Sequence, residues 1–108
     1  MLTANRDRYH AYATEAAQVF KQHGALQVVE CWGNDVPEGK LTSFPMAVQR
    51  KDDETVIFSW ITYKSRKHRD QVNAKVMKDP IMTNYDPKTM PFDGKRMFWG
   101  GFKKLVAM

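Results

Sequence analysis

The fold is decided by one stretch, Thr55-Val56-Ile57-Phe58-Ser59-Trp60-Ile61-Thr62, in which β-branched and aromatic residues follow one another almost without interruption. Residues of these types favour strands. Because side chains alternate across a strand, Val56, Phe58 and Trp60 share one face, and the odd-numbered residues share the other. The stretch therefore predicts a strand with one aromatic face and one largely aliphatic face.

Outward from that strand, the hydrophobic pattern predicts two helices and two more strands. Apolar residues recur every three or four positions from Asn5 to Gln22, which indicates a helix with one buried stripe, capped by Asn5. Gly24 can adopt the left-handed conformation that ends a helix. A second helix begins at Ser65 and ends before Asp79-Pro80. The other predicted strands are Leu26–Trp32 and Lys95–Val106, the latter bulged at Gly100-Gly101, and residues 33–54 and 81–94 are predicted connections.

Length and composition limit the class of protein. The chain has 108 residues, of which 43% are apolar, and a formal net charge of +5, so we expect one globular domain covering residues 1–108. It contains no apolar run of the roughly 20 residues that cross a bilayer, and no apolar signal core at its N-terminus. The single cysteine, Cys31, has no second thiol to pair with. These features predict a cytoplasmic protein without a membrane partner.

Three segments together resemble the YbaA-like family of small bacterial proteins, which carry a domain of unknown function (1428). The segments are 24–37, 55–60 and 90–102. The resemblance covers nearly the whole chain and implies an α+β fold of the dimeric α+β barrel superfamily, with a ferredoxin-like antiparallel sheet, two helices on one face and a homodimer. That fold has the order βαββαβ. The order predicted here is α, β, long loop, β, α, β, so the first strand is apparently missing from this chain.

The resemblance also implies that the sheet face away from the helices meets a second subunit and lines a cavity. In the strand 26–32, Val28, Glu30 and Trp32 share one face by alternation. Because small and branched side chains fit beneath helices, we expect Val29 and Cys31 to face the helices and the aromatic face to line the cavity. The predicted ligand-binding residues are accordingly Glu30, Trp32, Phe58, Trp60 and Trp99.

No catalytic residue is identified, and three residues are candidates. Glu30 among aromatics would be a desolvated carboxylate and so a proton acceptor; the alternative is a structural partner of Lys95 or Arg96. His23 ends the first helix, where the helix dipole favours an imidazolium, and Asp93 precedes a glycine as turns require. The sequence contains no spacing typical of a metal site and no cofactor-binding motif, so we expect neither a metal nor a cofactor.

Three classes of function stay open. We favour a small homodimer that binds a small apolar ligand in the barrel cavity, and analogy of fold extends this to a cofactor-independent enzyme of monooxygenase or isomerase type. The second class is an RNA-associated protein that uses a basic surface containing Arg66, Lys67 and Lys103. The third is a purely structural dimer or a stress-linked interaction module. Substrate, reaction and physiological partner are not encoded in any motif of this sequence.

Overall fold

The computed structural model describes residues 2–3, 5–86, 88 and 90–108. It has an α+β architecture in which two long helices cover one face of an antiparallel sheet. The strands are β1 (Leu2–Thr3), β2 (Gln27–Trp32) and β3 (Thr55–Thr62), and the helices are α1 (Arg6–Gln22), α2 (Phe44–Ala47), α3 (Arg66–Lys78) and α4 (Pro80–Thr83). A 3-10 turn spans Gly94–Arg96.

The predicted strand 55–62 is confirmed and occupies the middle of the sheet, in the order β1-β3-β2. Strand β2 pairs with it along its whole length, from Gln27 opposite Thr62 to Trp32 opposite Ile57. On the other side of β3, strand β1 pairs only with the first two residues of β3, with Leu2 opposite Val56 and Thr3 opposite Thr55. The expectation that the first strand is missing is therefore wrong in part, because a two-residue strand is present. A segment so short gives almost no signal of alternation.

The first helix follows its sequence signals. The Asn5 side chain accepts a hydrogen bond from the Arg8 backbone N–H at 3.0 Å and caps the helix. After Gln22 the chain turns at Gly24, whose φ of 115° lies in the region that favours glycine. Both the predicted cap and the predicted stop are confirmed.

The main core lies between the helices and the sheet. Val19 of α1 packs with Ala25, Val72 and Val76, and Val28 and Ile61 from the sheet contact this cluster. A second cluster joins Tyr9 and Ala13 of α1 to Ile57 of β3. These contacts place the odd-numbered face of β3 beneath the helices, as alternation predicts.

The C-terminal quarter differs from the prediction. The predicted strand Lys95–Val106 is wrong: its start is a 3-10 turn at Gly94–Arg96, and residues 97–108 form no helix or strand in the described chain. Asp93 favours the turn because its carboxylate accepts the Lys95 backbone N–H at 3.0 Å. A strand also needs a neighbour, and the two residues of β1 offer almost none.

Helix α4 begins just before the predicted connection 81–94 and extends into it. The Asp79 carboxylate accepts the Ile81 backbone N–H at 2.9 Å, and Pro80 occupies the first helical position. Asp followed by Pro is a helix start as well as a helix stop, because proline is tolerated where no backbone donor is needed. No described helix is both long enough and apolar enough to span a bilayer.

Candidate functional site

Glu30 lies beneath the N-terminal half of α1 and receives two hydroxyl groups. The Tyr9 hydroxyl donates to Glu30 Oε2 at 2.9 Å, and the Ser59 hydroxyl donates to the same oxygen. Glu30 and Ser59 are directly opposite one another in the β2–β3 pair. The pairing of β2 with β3 and the packing of α1 on the sheet thus bring together three side chains that are far apart in sequence.

A cavity of about 180 Å³ adjoins this carboxylate. Arg6 stands at one side of it, with its guanidinium carbon 5.6 Å from the centre of the Trp32 ring, a cation–π distance. The space suits a small molecule of few atoms. Its lining consists of Arg6, Tyr9, His10, Ala13, Glu30, Cys31, Trp32 and Ile57.

The electrostatics of the site keep its tyrosines protonated. Burial, and then the charge of Glu30, raise the pKa of Tyr9 well above its ordinary value. The same two causes raise the pKa of Tyr12. Tyr9 is therefore a hydrogen-bond donor and not a base. Both hydroxyls reach the same carboxylate oxygen, Oε2, and Glu30 as a residue is exposed.

The predicted grouping of Glu30 and Trp32 with Phe58 and Trp60 is wrong. In the observed register Glu30 opposes Ser59 and Trp32 opposes Ile57, so both lie on the helix side. Val29 and Cys31 oppose the aromatic residues instead. The prediction assumed that a helix covers only small and branched side chains. The Tyr9 hydroxyl gives a carboxylate a partner there, so the opposite orientation is stable.

Phe58 and Trp60 lie on the far face of the sheet, away from α1 and α3. Their side chains are 53% and 45% exposed, and their ring centres are 5.9 Å apart. Phe44 of α2 extends the group, 6.0 Å from Phe58. We call Phe44, Phe58 and Trp60 the aromatic face. Trp99, also predicted to bind ligand, is 85% exposed in the segment after Met97, so the structure does not bring the five predicted residues together.

His23 has a structural partner. Its Nε2 lies 2.7 Å from Asp79 Oδ2, where the end of α1 meets the start of α4. The hydrogen bond from His23, and then that from the Ile81 backbone, lower the pKa of Asp79. This contact joins two elements 56 residues apart in sequence, which agrees with a non-catalytic role for His23 at the helix end.

Asp93 and Arg96 form a second charged group that also includes Glu54. Arg96 donates through Nη1 and Nη2 to the two carboxylate oxygens of Glu54, at 2.6 and 2.5 Å, and through Nε to Asp93 at 3.0 Å. It also reaches the Gln49 carbonyl at 3.0 Å. The predicted pairing of Glu30 with Lys95 or Arg96 is wrong, because Arg96 binds these groups at the beginning of β3.

The stability of the fold should depend on pH in the acid range, because three carboxyl groups have lowered pKa values: Glu54, Asp79 and Asp93. Hydrogen bonds from Arg96 lower the pKa of Glu54 and Asp93, and one from His23 lowers that of Asp79. A carboxyl with a lowered pKa contributes stability that is complete above its ordinary pKa of about 4 and is lost as pH falls through the folded value. We expect the melting temperature to be level from pH 7 to pH 5 and to fall below pH 4.

Thermal unfolding between pH 7 and pH 2 checks this acid dependence. Glu54→Gln should lower the melting temperature at pH 7 and reduce its fall at low pH. Glu38→Gln is the matched control, because Glu38 is largely exposed and lies 3.6 Å from Arg50, so its curve should follow that of the unaltered chain. Equal slopes for the Glu54→Gln chain and the unaltered chain would contradict the assignment.

The rest of the described surface contains weaker candidates for a binding or metal site. A second cavity of about 170 Å³ lies between the start of β3 and α2, but the Arg50 guanidinium in its lining is already bound to the carbonyls of Lys51, Asp52 and Glu54. No cluster of three or more His, Cys, Asp or Glu residues in the described chain is arranged to hold a metal ion.

Sequence reasoning missed Tyr9 and Ser59 as members of the Glu30 site. Tyr9 lies on the apolar stripe of α1, which predicts burial of its ring but says nothing of its hydroxyl, and the ring does lie in the core. The β2–β3 register is the signal that relates these residues. It places Glu30 opposite Ser59, on the face of β3 where Ile57 packs against Tyr9 of α1. Register depends on tertiary pairing and not on local composition.

Comparison with known proteins gives a consistent result. The family model described as "Protein of unknown function (DUF1428)" matches residues 1–94. The chain is 50% identical over 101 residues to the "Uncharacterized protein YbaA" of Escherichia coli (strain K12), covering 94% of this chain and 86% of that protein. The same figures hold for the proteins of that name from Escherichia coli O157:H7 and Shigella flexneri.

Proposed function

Because the chain belongs to the DUF1428 family of proteins of unknown function, we propose its function from its own geometry. It acts as a cytoplasmic homodimer whose sheets meet through their aromatic faces and bind a small apolar ligand between them. The observation that carries this proposal is the aromatic face, with Phe58 and Trp60 about half exposed and Phe44 beside them.

Energetics support association through this face. Contiguous apolar patches are uncommon on monomers and mark interaction sites. Burying a large aromatic side chain contributes on the order of 2 kcal/mol from area alone, and a two-fold dimer buries each residue of the aromatic face twice. Val29 and Cys31 lie opposite Trp60 and Phe58, and would complete an apolar lining.

The strand order supports a ferredoxin-like arrangement as part of the proposal. The order β1-β3-β2, antiparallel at both contacts, is that of three of the four strands in such a sheet. The fourth would lie beyond β1, on the side where residues 97–108 follow Arg96. Trp99 remains a predicted ligand contact, through that segment.

Native mass spectrometry of the freshly purified protein, with light scattering at tens of micromolar, tests the proposal. We expect a dimer that carries a small-molecule adduct. Trp60→Glu should give monomer without adduct, since it places a charge on the aromatic face. Met77→Glu, at an exposed position of α3, is the matched control and should remain dimeric. A monomeric unaltered chain would refute the dimer, and a dimer free of adduct would refute the ligand.

The Glu30 site favours a second candidate, a cofactor-independent enzyme. An exposed carboxylate that two hydroxyls hold through one oxygen, beside a cavity, has the geometry of a general base. Glu30→Gln keeps an oxygen for both hydroxyls and removes the charge. It should therefore abolish any turnover while leaving the fold intact. Turnover by Glu30→Gln at the unaltered rate would end this candidacy.

RNA binding through a basic surface stays a prediction. Arg66 and Lys67 are exposed at the start of α3, and the Arg69 guanidinium of the same helix lies against Gly101, two residues before Lys103. Such a surface predicts weak, sequence-independent and salt-sensitive binding. RNA retained by the dimer would appear as added mass in the same native spectrum.

A further inference from the structure

Two side chains of opposite charge line the cavity of the Glu30 site without forming an ion pair. Arg6, the first residue of α1, and Glu30 of β2 both border this space. In the part of the chain that the structure describes, the Arg6 guanidinium has no hydrogen bond or ion pair, and its contact is with the Trp32 ring. The cavity therefore has one cationic side and one anionic side.

The Arg6 guanidinium is suited to bind a carboxylate. Its carbon lies 5.6 Å from the centre of the Trp32 ring. In stacked contacts of this kind the N–H donors at the edge of the guanidinium remain free, and they form a fork that matches the two oxygens of a carboxylate. A cation at the first position of a helix also opposes the helix dipole. The stability of α1 therefore does not explain the presence of Arg6.

Glu30 is suited to bind an ammonium group. An ionised carboxylate only accepts hydrogen bonds, and its two oxygens offer about four acceptor positions. The hydroxyls of Tyr9 and Ser59 both use Oε2, and Glu30 is exposed. No lysine, arginine or histidine among the described residues forms an ion pair with Glu30. A cationic group on a ligand would supply that partner.

The size of the cavity limits the ligand. Its volume of about 180 Å³ equals that of about six water molecules, at roughly 30 Å³ each in the liquid. Ala13 and Ile57, both buried, form part of the wall between the charged sides. The space therefore suits a compact molecule with charged groups and a short apolar side chain.

We propose that the cavity of the Glu30 site binds a small zwitterion of the amino acid type, with its carboxylate on Arg6 and its ammonium group on Glu30. The inference deepens the second candidate above by naming a ligand class, and it rests on that candidate for the site alone, not for turnover. The two charges also select against simpler ions. A carboxylate without a cationic group is repelled by Glu30, and an amine without a carboxylate is repelled by Arg6.

Titrations followed by two-dimensional NMR of the isotope-labelled full chain test the proposal. The Arg6 Nε–H and Trp32 indole N–H signals report on the site. Alanine, serine and valine are the zwitterionic probes; lactate, propionate and isopropylamine each lack one charged group of alanine. We expect saturable shifts with alanine at about 0.1 to 1 mM, a range that suits a ligand of so few atoms. The three alanine analogues should bind at least 10-fold more weakly, because each leaves one charged group of the site without its partner.

Variants of the two charged residues separate recognition from folding. Arg6→Gln and Glu30→Gln should each weaken alanine binding at least about 10-fold. Arg6→Lys keeps the charge and loses the fork, so it should weaken binding by only about 3-fold. Lys75→Gln is the matched control, because Lys75 is an exposed residue of α3 outside the cavity, and its affinity for alanine should equal that of the unaltered chain. Thermal unfolding of each variant confirms that it is folded.

Three results would overturn the proposal. The first is the absence of site shifts with all three amino acids at tens of millimolar. The second is equal affinity for alanine, lactate and propionate, because Glu30 would then not recognise an ammonium group. The third is alanine binding of unaltered strength in folded Arg6→Gln or Glu30→Gln. The second candidate has a separate test: Glu30-dependent turnover of another substrate would keep the general base without the zwitterion, whereas alanine binding without turnover supports the zwitterion alone.

Discussion

Replacing Val72 by alanine should lower the free energy of unfolding by about 2 to 3 kcal/mol, because the change removes two methyl groups from a packed interior and leaves a cavity. Val72 is 2% exposed and lies where α3 meets Val19 of α1 and Ala25. The total free energy of unfolding of a domain is about 5 to 15 kcal/mol, so this loss is a large part of it. The loss should be evident in urea unfolding followed by circular dichroism.

Met77→Ala is the matched control for this core prediction. Met77 lies on the same helix but is 74% exposed, so its truncation should change the free energy of unfolding by less than about 0.5 kcal/mol. If the two variants lost equal stability, the packing of α3 against α1 would be misassigned.

Glu30→Ala should cost about 1 to 3 kcal/mol, the usual penalty for a buried hydroxyl that loses its acceptor. The hydroxyl concerned is that of Tyr9, a residue only 4% exposed, whereas Ser59 is solvent-exposed and can bond to water instead. Urea unfolding measures the effect. Glu30→Gln should retain most of the stability, because its amide oxygen still accepts from Tyr9.

A double-mutant cycle separates this hydrogen bond from other effects of the substitution. In a Tyr9→Phe background no buried donor remains, so Glu30→Ala should then cost less than about 0.5 kcal/mol. Equal costs in both backgrounds would mean that Tyr9 does not depend on Glu30. That outcome would favour the reading of Glu30 as a general base kept for chemistry alone.

Local patterns predicted the helices and strands that carry their own signals. The cap at Asn5 and the left-handed Gly24 define α1, and unbroken β-formers define β3. The start of α4 was missed because Asp79-Pro80 was assigned only as a stop signal. The strand predicted from Lys95 failed for a different reason: its composition favours a strand, but the described chain offers it no neighbour.

The Glu30 site was predicted only as far as one residue. Glu30 and Trp32 were correctly placed on a common face of β2, but that face was assigned to the wrong side of the sheet. Alternation relates residues within one strand and does not say which face the helices cover. The answer depends on Tyr9, a buried residue of α1 whose hydroxyl needs an acceptor and finds one in the Glu30 carboxylate.

The hydrogen-bonded ion pair between Arg96 and Glu54 also has a consequence for the order in which contacts form during folding. It links residues 42 apart in sequence, and the entropy of closing so long a loop is recovered only after the neighbouring strand has formed. This ion pair should therefore form late in folding, and residues 97–108 are held in place at Arg96 only after it has formed. Folding of one chain would be a first-order step independent of protein concentration. In the proposed homodimer, association would be a second-order step that follows it, so a newly made chain would complete its own core before it joins another copy.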